Sequence, residues 1–188
     1  MEVSIIRLAG RAPSDGRGTL ARSVDKRALT RVYDNGVNMR VLGIDYGQRR
    51  IGLALSDATG LLARPWKTVA RTGSLEQVAR ALAAEVSALR GESDGLQAVV
   101  VGWPKRLNGA AHAQTHAVES LAEHLRRQLD VPVVLQDERL SSREAESLLA
   151  AREPDWRKRK RLLDAMAAAV ILQDYLDGLP RAAKDVDS

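Results

Sequence analysis

The chain contains no cysteine and no phenylalanine, and aromatic residues make up only 3% of its 188 residues. The absence of cysteine excludes disulfides, thiolate metal sites and a cysteine nucleophile. So few aromatic side chains disfavour the base-stacking platform that single-strand-binding proteins use. No apolar run approaches the ~18 residues of a membrane span, and residues 1–10 lack the apolar stretch of a secretory signal. We therefore expect a cytoplasmic protein that is not inserted into a membrane.

The length and the remaining composition are ordinary for one soluble domain, or for one domain with a tail. Hydrophobic residues account for 45% of the chain and charged residues for 28%, as in most globular proteins. The formal net charge is +5. This excess modestly favours polyanionic partners such as nucleic acid.

Residues 1–38 differ in character from the rest of the chain, because they are basic and glycine-containing and show almost no apolar periodicity. The stretch 11–18 (RAPSDGRG) has the composition of turns and linkers. We predict an N-terminal extension that is disordered or loosely attached. Two alternatives stay open, namely a basic arm that contacts nucleic acid and a translation start at Met39. The organised pattern predicts one domain over residues 39–180 and a flexible tail over 181–188.

From Arg40 onward the pattern predicts five strands and four helices. The strands are expected at 40–45, 51–57, within 61–71, at 96–102 and at 131–136. The helices are expected from the Ser74 cap to Gly91, at 110–129, after Ser141 or Ser142, and at 162–176. Three strands joined by short turns thus precede two strands that are reached through helices. This order implies an α/β fold with a mixed sheet and helices on its faces.

Acidic residues stand at the ends of several predicted elements. Asp45 ends the first strand, Asp137 and Glu138 follow the fifth, and Asp164 lies at the start of the predicted last helix. Any one of them could be a cap or turn residue, and a helix N-terminus favours an acid. Ligands of open sheets bind beyond the carboxyl ends of strands, where three such acids could meet. Carboxylates suit Mg²⁺ or Mn²⁺, and such ions support phosphodiester hydrolysis.

Basic residues lie close to these acids along the chain. Their guanidinium and ammonium groups predict contacts with nucleic-acid phosphates, although the run 157–161 could equally be a solvated helix start. The candidates are Arg49, Arg50, Lys105, Arg106, Arg139, Arg157, Lys158, Arg159, Lys160 and Arg161. Asn108 belongs to the same group, because Asn108 and Gly109 precede a predicted helix whose free backbone N–H groups could bind a phosphate.

Four segments together carry a resemblance to a known family. They are residues 43–57 (GIDYGQRRIGLALSD), 101–109 (VGWPKRLNG), 137–142 (DERLSS) and 164–176 (DAMAAAVILQDYL). In order and spacing the chain resembles the YqgF/RuvX family of Holliday junction resolvase-like proteins, which are known as pre-16S rRNA nucleases. The resemblance covers residues 40–178 and leaves the N-terminal extension outside.

The resemblance implies an RNase H-like fold, a five-stranded mixed sheet whose strands one to three are antiparallel, and a divalent-metal phosphodiesterase site. Asp45 and Asp164 match the family's first-strand and last-helix acids. The middle acid falls in the pair Asp137-Glu138, of which we favour Glu138. Strand four ends in Gly102-Trp103 without the acid that true resolvases carry there. Smaller departures are Trp103 in place of the usual Leu, and serines at 141 and 142 in place of two threonines.

The implied function is endonucleolytic maturation of the 5′ end of 16S rRNA, by a monomer or homodimer acting alone or on a ribosomal particle. Three alternatives remain. A DNA endonuclease acting on four-way junctions would need a dimer with two sites. A non-catalytic nucleic-acid-binding module would gain nothing from acids that face phosphates. A sugar-kinase-like or actin-like ATPase would need two related domains, and the organised region supplies only one.

Overall fold

The computed structural model describes residues 40–104, 113–137 and 156–179. These ranges contain five strands and three helices, which are β1 (Arg40–Tyr46), β2 (Arg50–Ser56), β3 (Ala63–Ala70), α1 (Leu75–Arg90), β4 (Leu96–Trp103), α2 (Ala113–Gln128), β5 (Val133–Asp137) and α3 (Trp156–Asp177). The helix predicted after Ser141 or Ser142, the extension 1–38 and the tail 181–188 lie outside the described residues. Within the described ranges, no helix combines the length and apolar character needed to cross a membrane.

The strands form one five-stranded sheet in the order β3-β2-β1-β4-β5. β1 pairs antiparallel with β2, and β2 pairs antiparallel with β3. β4 pairs parallel with β1, and β5 pairs parallel with β4. Short turns suffice for the antiparallel pairs, whereas parallel strands need a long connection. Helix α1 lies in the connection from β3 to β4, which adds β4 beside β1, and α2 lies in the connection from β4 to β5. The predicted five-stranded mixed sheet, with strands one to three antiparallel, is confirmed.

The two faces of the sheet are covered differently. On one face, Leu42, Ile44 and Tyr46 of β1 join a core with the apolar sides of α1 and α2. On the other face, Val41 packs with residues of α3, among them Leu172. Because side chains alternate along a strand, Gly43 and Asp45 lie on the face that α3 covers. This alternation decides which helix can meet the acid of β1.

Helix α1 begins as its sequence predicts. The Ser74 hydroxyl accepts a hydrogen bond from the backbone N–H of Gln77, and the Gln77 side chain accepts one from the backbone N–H of Ser74. This reciprocal capping box satisfies two N–H groups that the helix leaves without partners. Val78, Leu82 and other apolar positions at helical spacing are buried, so the helix predicted from Ser74 to Gly91 is confirmed and packs by its apolar side.

Helix α3 begins earlier than predicted. The periodicity placed its start at Leu162, but the helix runs from Trp156 and therefore includes the basic run 157–161. Asp164 accordingly lies in the third turn rather than at the N-terminus. The helix-cap explanation for this acid is therefore wrong, because the favourable effect of a helix N-terminus is confined to the first turn.

Candidate functional site

Two predicted acids, Asp45 and Asp164, are brought together where α3 crosses the hairpin of β1 and β2. Asp45 pairs with Gly52 across the two strands. A Cβ atom on Gly52 would overlap the backbone carbonyl of Asp164. Only a glycine therefore lets the backbone of α3 come this close to β2. The close approach sets the Asp164 segment directly beside the strand pair that carries Asp45.

The Asp45 carboxyl group is in an environment that disfavours its charge. Burial, and secondly the negative charge of Asp164, raise the pKa of Asp45 from its ordinary value of 3.8 to about 6. Burial in a medium of low polarity and a like charge nearby both favour the protonated form of an acid. The site therefore favours a bound cation, which would let both carboxyl groups ionise.

Arg50 supplies one positive charge to this site. Its Nε atom lies 2.7 Å from Oδ2 of Asp164, and the two side chains are 38% and 23% exposed. Among the described residues, no donor makes a well-aligned hydrogen bond to this oxygen. Charge attraction rather than hydrogen-bond geometry therefore holds the pair together. The sequence predicted Arg50 as a phosphate contact, and the structure places it on a site acid.

Of the two candidates for the middle acid, only Asp137 lies among the described residues, at the end of β5. Val133 packs in the core beneath α1 and α2, whereas Val134 packs in the core beneath α3. Asp137 pairs with Trp103 of β4, and Trp103 packs on the first of these cores. By alternation Asp137 lies on the face opposite to Asp45. Glu138, the favoured candidate, lies outside the described residues.

Asp45 and Asp164 together fit a hard divalent cation in their chemistry. Both offer only oxygen ligands, which Mg²⁺ and Mn²⁺ prefer, and burial together with the charge of Asp164 raises the pKa of Asp45. Within residues 40–104, 113–137 and 156–179, no three His, Cys, Asp or Glu side chains form a group that could hold a metal ion. A third protein ligand would have to come from another part of the chain.

Arg71 is a basic residue at the hairpin of β1 and β2 that sequence reasoning missed, and it stacks on Tyr46, whose ring lies on the face opposite to Asp45. Its guanidinium lies over the ring of Tyr46, 4.4 Å from the ring centroid. It also donates a hydrogen bond to the carbonyl of Gly47, at 3.3 Å. The backbone N–H of Arg71 bonds to the carbonyl of Arg49, at 3.0 Å, so the strand register brings the two arginines together. Aligning the predicted strands β2 and β3 as an antiparallel pair would have placed Arg71 opposite Arg49 and so identified it.

The other predicted basic residues divide into three groups. Arg49 is exposed at the turn between β1 and β2. The positions 157–161 belong to the first turns of α3, but their side chains are not among those described. Outside the described residues lie Lys105, Arg106, Asn108 and Arg139.

Comparison with known proteins adds the family. The RuvX family, described as Holliday junction resolvase, matches residues 39–178. This chain belongs to the RuvX family. A relative from Geobacillus kaustophilus (strain HTA426), named "Putative pre-16S rRNA nuclease", is 42% identical over 140 residues, which is 74% of this chain and 98% of the relative. A relative of the same name from Syntrophus aciditrophicus (strain SB) is 38% identical over 141 residues, 75% of this chain and 90% of its own length.

Solved structures with a similar arrangement include RuvC. The complex of Thermus thermophilus RuvC with a Holliday junction substrate has a TM-score of 0.42 and 19% identity, and the match covers 71% of this chain and 91% of that chain. A second Thermus thermophilus RuvC structure has a TM-score of 0.40 and 16% identity, with coverage of 74% and 98%.

Proposed function

We propose that this RuvX-family chain is a metal-dependent endonuclease that takes part in maturation of the 5′ end of 16S rRNA. The observation that carries the proposal is the placement of Asp45 beside Asp164, where burial and the neighbouring charge disfavour the ionised form of Asp45. A protein that only binds nucleic acid would not be expected to keep two such carboxyl groups together. The choice of rRNA rests on the names of the relatives, which are 42% and 38% identical.

The proposed metal ligands are Asp45, Asp164 and Glu138. Glu138 is preferred over Asp137 because Asp137 lies on the wrong face of β5 to share an ion with Asp45. When bound, Mg²⁺ or Mn²⁺ would polarise the phosphodiester and lower the pKa of the attacking water. The carboxylates would supply the oxygen ligands and the negative charge that hold such an ion.

Arginines at the β1–β2 hairpin support a nucleic-acid substrate. Arg49 is exposed at the turn, and Arg71 stacks on Tyr46 at the same hairpin, where the ring lies on the face opposite to Asp45. Guanidinium groups bind phosphate oxygens in bidentate fashion. The basic run 157–161 in the first turns of α3 would extend this surface. Action on precursor rRNA would place the protein in the cytoplasm, alone or on an assembling ribosomal particle.

A four-way DNA junction is the second candidate substrate, because the family description names Holliday junction resolution. It would require two sites, and hence a homodimer. The missing acid at the end of β4, where Gly102 and Trp103 stand, weighs against it.

A cleavage assay distinguishes these possibilities. Labelled 16S precursor RNA and a synthetic four-way DNA junction would each be incubated with the full chain in Mg²⁺, Mn²⁺ or EDTA. The variants would be Asp45→Asn and, as a matched control, Asp94→Asn, which removes an exposed acid in the turn after α1. RNA cleavage that requires metal and Asp45 but not Asp94 supports the proposal. Cleavage of the junction alone supports the DNA enzyme, and binding without cleavage leaves a binding module.

A further inference from the structure

We infer that Arg50 is a built-in counter-cation of the acidic site, and that its guanidinium competes with a divalent metal ion for the carboxylate of Asp164. The inference rests on the proposed metal site and assigns Arg50 a role there other than the phosphate contact that its sequence position predicts. It begins from the 2.7 Å contact between Arg50 Nε and Asp164 Oδ2.

The backbone of Arg50 is held in place by strand pairing. Arg50 opens β2 and pairs with Ala70 of β3. Two residues further along, Gly52 pairs with Asp45 and contacts the backbone of α3 at Asp164. Alternation puts residues 50 and 52 on the same face of β2. Arg50 can therefore release Asp164 only by rotating its side chain, without any movement of the strand.

The ion pair has the character of a replaceable contact. The Arg50 side chain is 38% exposed, so solvent and ligands reach it. Oδ2 of Asp164 is itself shielded from solvent, but the two side chains are partly exposed, and ion pairs near the surface are weak. A divalent ion carries twice the charge of a guanidinium and binds the same class of oxygen. Once displaced, the guanidinium would be free to bind a phosphate oxygen of the substrate.

An arginine that competes with the metal and an arginine that orients Asp164 for the metal predict different metal affinities after the arginine is removed. If Arg50 occupies Asp164, its removal should tighten metal binding, although the metal-free protein loses an attractive pair. If Arg50 instead orients Asp164 for the metal, its removal should weaken binding. The two roles therefore predict changes of opposite sign in the same measurement.

The experiment is a Mn²⁺ titration of the full chain by calorimetry, together with the melting temperature of the metal-free protein. Arg50→Gln should bind Mn²⁺ up to about fivefold more tightly, the scale of one partly exposed ion pair, and should melt at a lower temperature without metal. Arg50→Lys keeps the charge and should lie nearer to the wild type. Arg80→Gln, which removes the same charge from an exposed pair on α1, is the control and should change Mn²⁺ affinity little.

Unchanged or weaker Mn²⁺ binding by Arg50→Gln, measured on a variant that still melts cooperatively, would overturn the inference. An affinity of Arg50→Lys equal to that of Arg50→Gln would also overturn it, because the effect would then not depend on the positive charge. Asp45→Asn separates this failure from failure of the proposed function. If Asp45→Asn leaves Mn²⁺ binding intact, the metal site itself is wrong and the inference falls with it. If only the Arg50 variants behave unexpectedly, the metal site stands.

Discussion

Replacing Asp45 with asparagine should make the metal-free protein more stable at neutral pH, although it removes a proposed catalytic residue. Asparagine has nearly the shape of aspartate but carries no charge. In the folded protein the ionised carboxyl group of Asp45 is disfavoured by burial and by the charge of Asp164. The unfolded chain relieves both effects. The substitution therefore removes an electrostatic cost that only the folded state bears.

The magnitude follows from the pKa of Asp45, which rises from 3.8 to about 6 on folding. At about 1.4 kcal/mol per pH unit, this shift corresponds to about 3 kcal/mol. Between these two values the folded state holds a proton that the unfolded state has lost. The free energy of unfolding therefore decreases as the pH rises from about 4 to about 6. Above that range the full cost is present, and below it the cost disappears.

Urea denaturation in EDTA, across a pH series, measures the effect. At pH 7, Asp45→Asn should raise the free energy of unfolding by up to about 3 kcal/mol. Any hydrogen bond that the buried amide fails to make reduces this gain. The expected rise in melting temperature is about 2–4 °C per kcal/mol for a chain of this size. The gain should shrink toward about pH 4, where Asp45 is protonated in both states. Asp94→Asn should stay within about 0.5 kcal/mol of the wild type, as exposed substitutions do.

Two results would refute this reasoning. One is an Asp45→Asn variant that is no more stable than the wild type at pH 7 in EDTA. The other is a gain of equal size at both ends of the pH series, which would point to packing rather than charge. Adding Mg²⁺ gives a further check, because a ligand that binds only the folded state stabilises it. Mg²⁺ should raise the melting temperature of the wild type and have little effect on the variant.

Three further substitutions test the fold and the site. Gly52→Ala should lower the free energy of unfolding by about 2 kcal/mol or more, because the new methyl group would overlap the backbone of α3. Gly91→Ala is the control in the same urea denaturation, since its Cβ would lie 3.4 Å from its nearest neighbour. Equal effects of the two substitutions would contradict the close approach of α3 to β2. In a single-turnover assay, Glu138→Gln should lower the cleavage rate at least about a hundredfold, whereas Asp137→Asn should retain most of the activity. If Asp137→Asn lowers the rate more than Glu138→Gln does, Asp137 is the middle ligand. Ser74→Ala should lower the free energy of unfolding by about 1 kcal/mol, because the capping box is lost, and should leave the cleavage rate unchanged. A fall in the cleavage rate would show that α1 acts on the site.

The strands and the first site acid were predictable because their signals are local. The apolar run of β1 ends at a carboxylate, and the two short turns that follow predict antiparallel neighbours. The start of α3 was not predicted, because its first turns are basic and show no apolar periodicity. Arginine and lysine nevertheless have good helix propensity, so the helix includes them from Trp156 onward.

The order of the described elements, the mixed sheet and the candidate acids were all predictable from local patterns along the chain. Three features became visible only in the folded protein: α3 contacts Gly52, Arg50 pairs with Asp164 at 2.7 Å, and Asp137 lies on the face opposite to Asp45. These three features depend on residues about 90 to 115 positions apart in the chain. Local propensity and periodicity do not indicate which helix crosses which strand. That choice is made when the small residues of the hairpin and of α3 let two backbones approach closely, and the charges of the site meet there as a result.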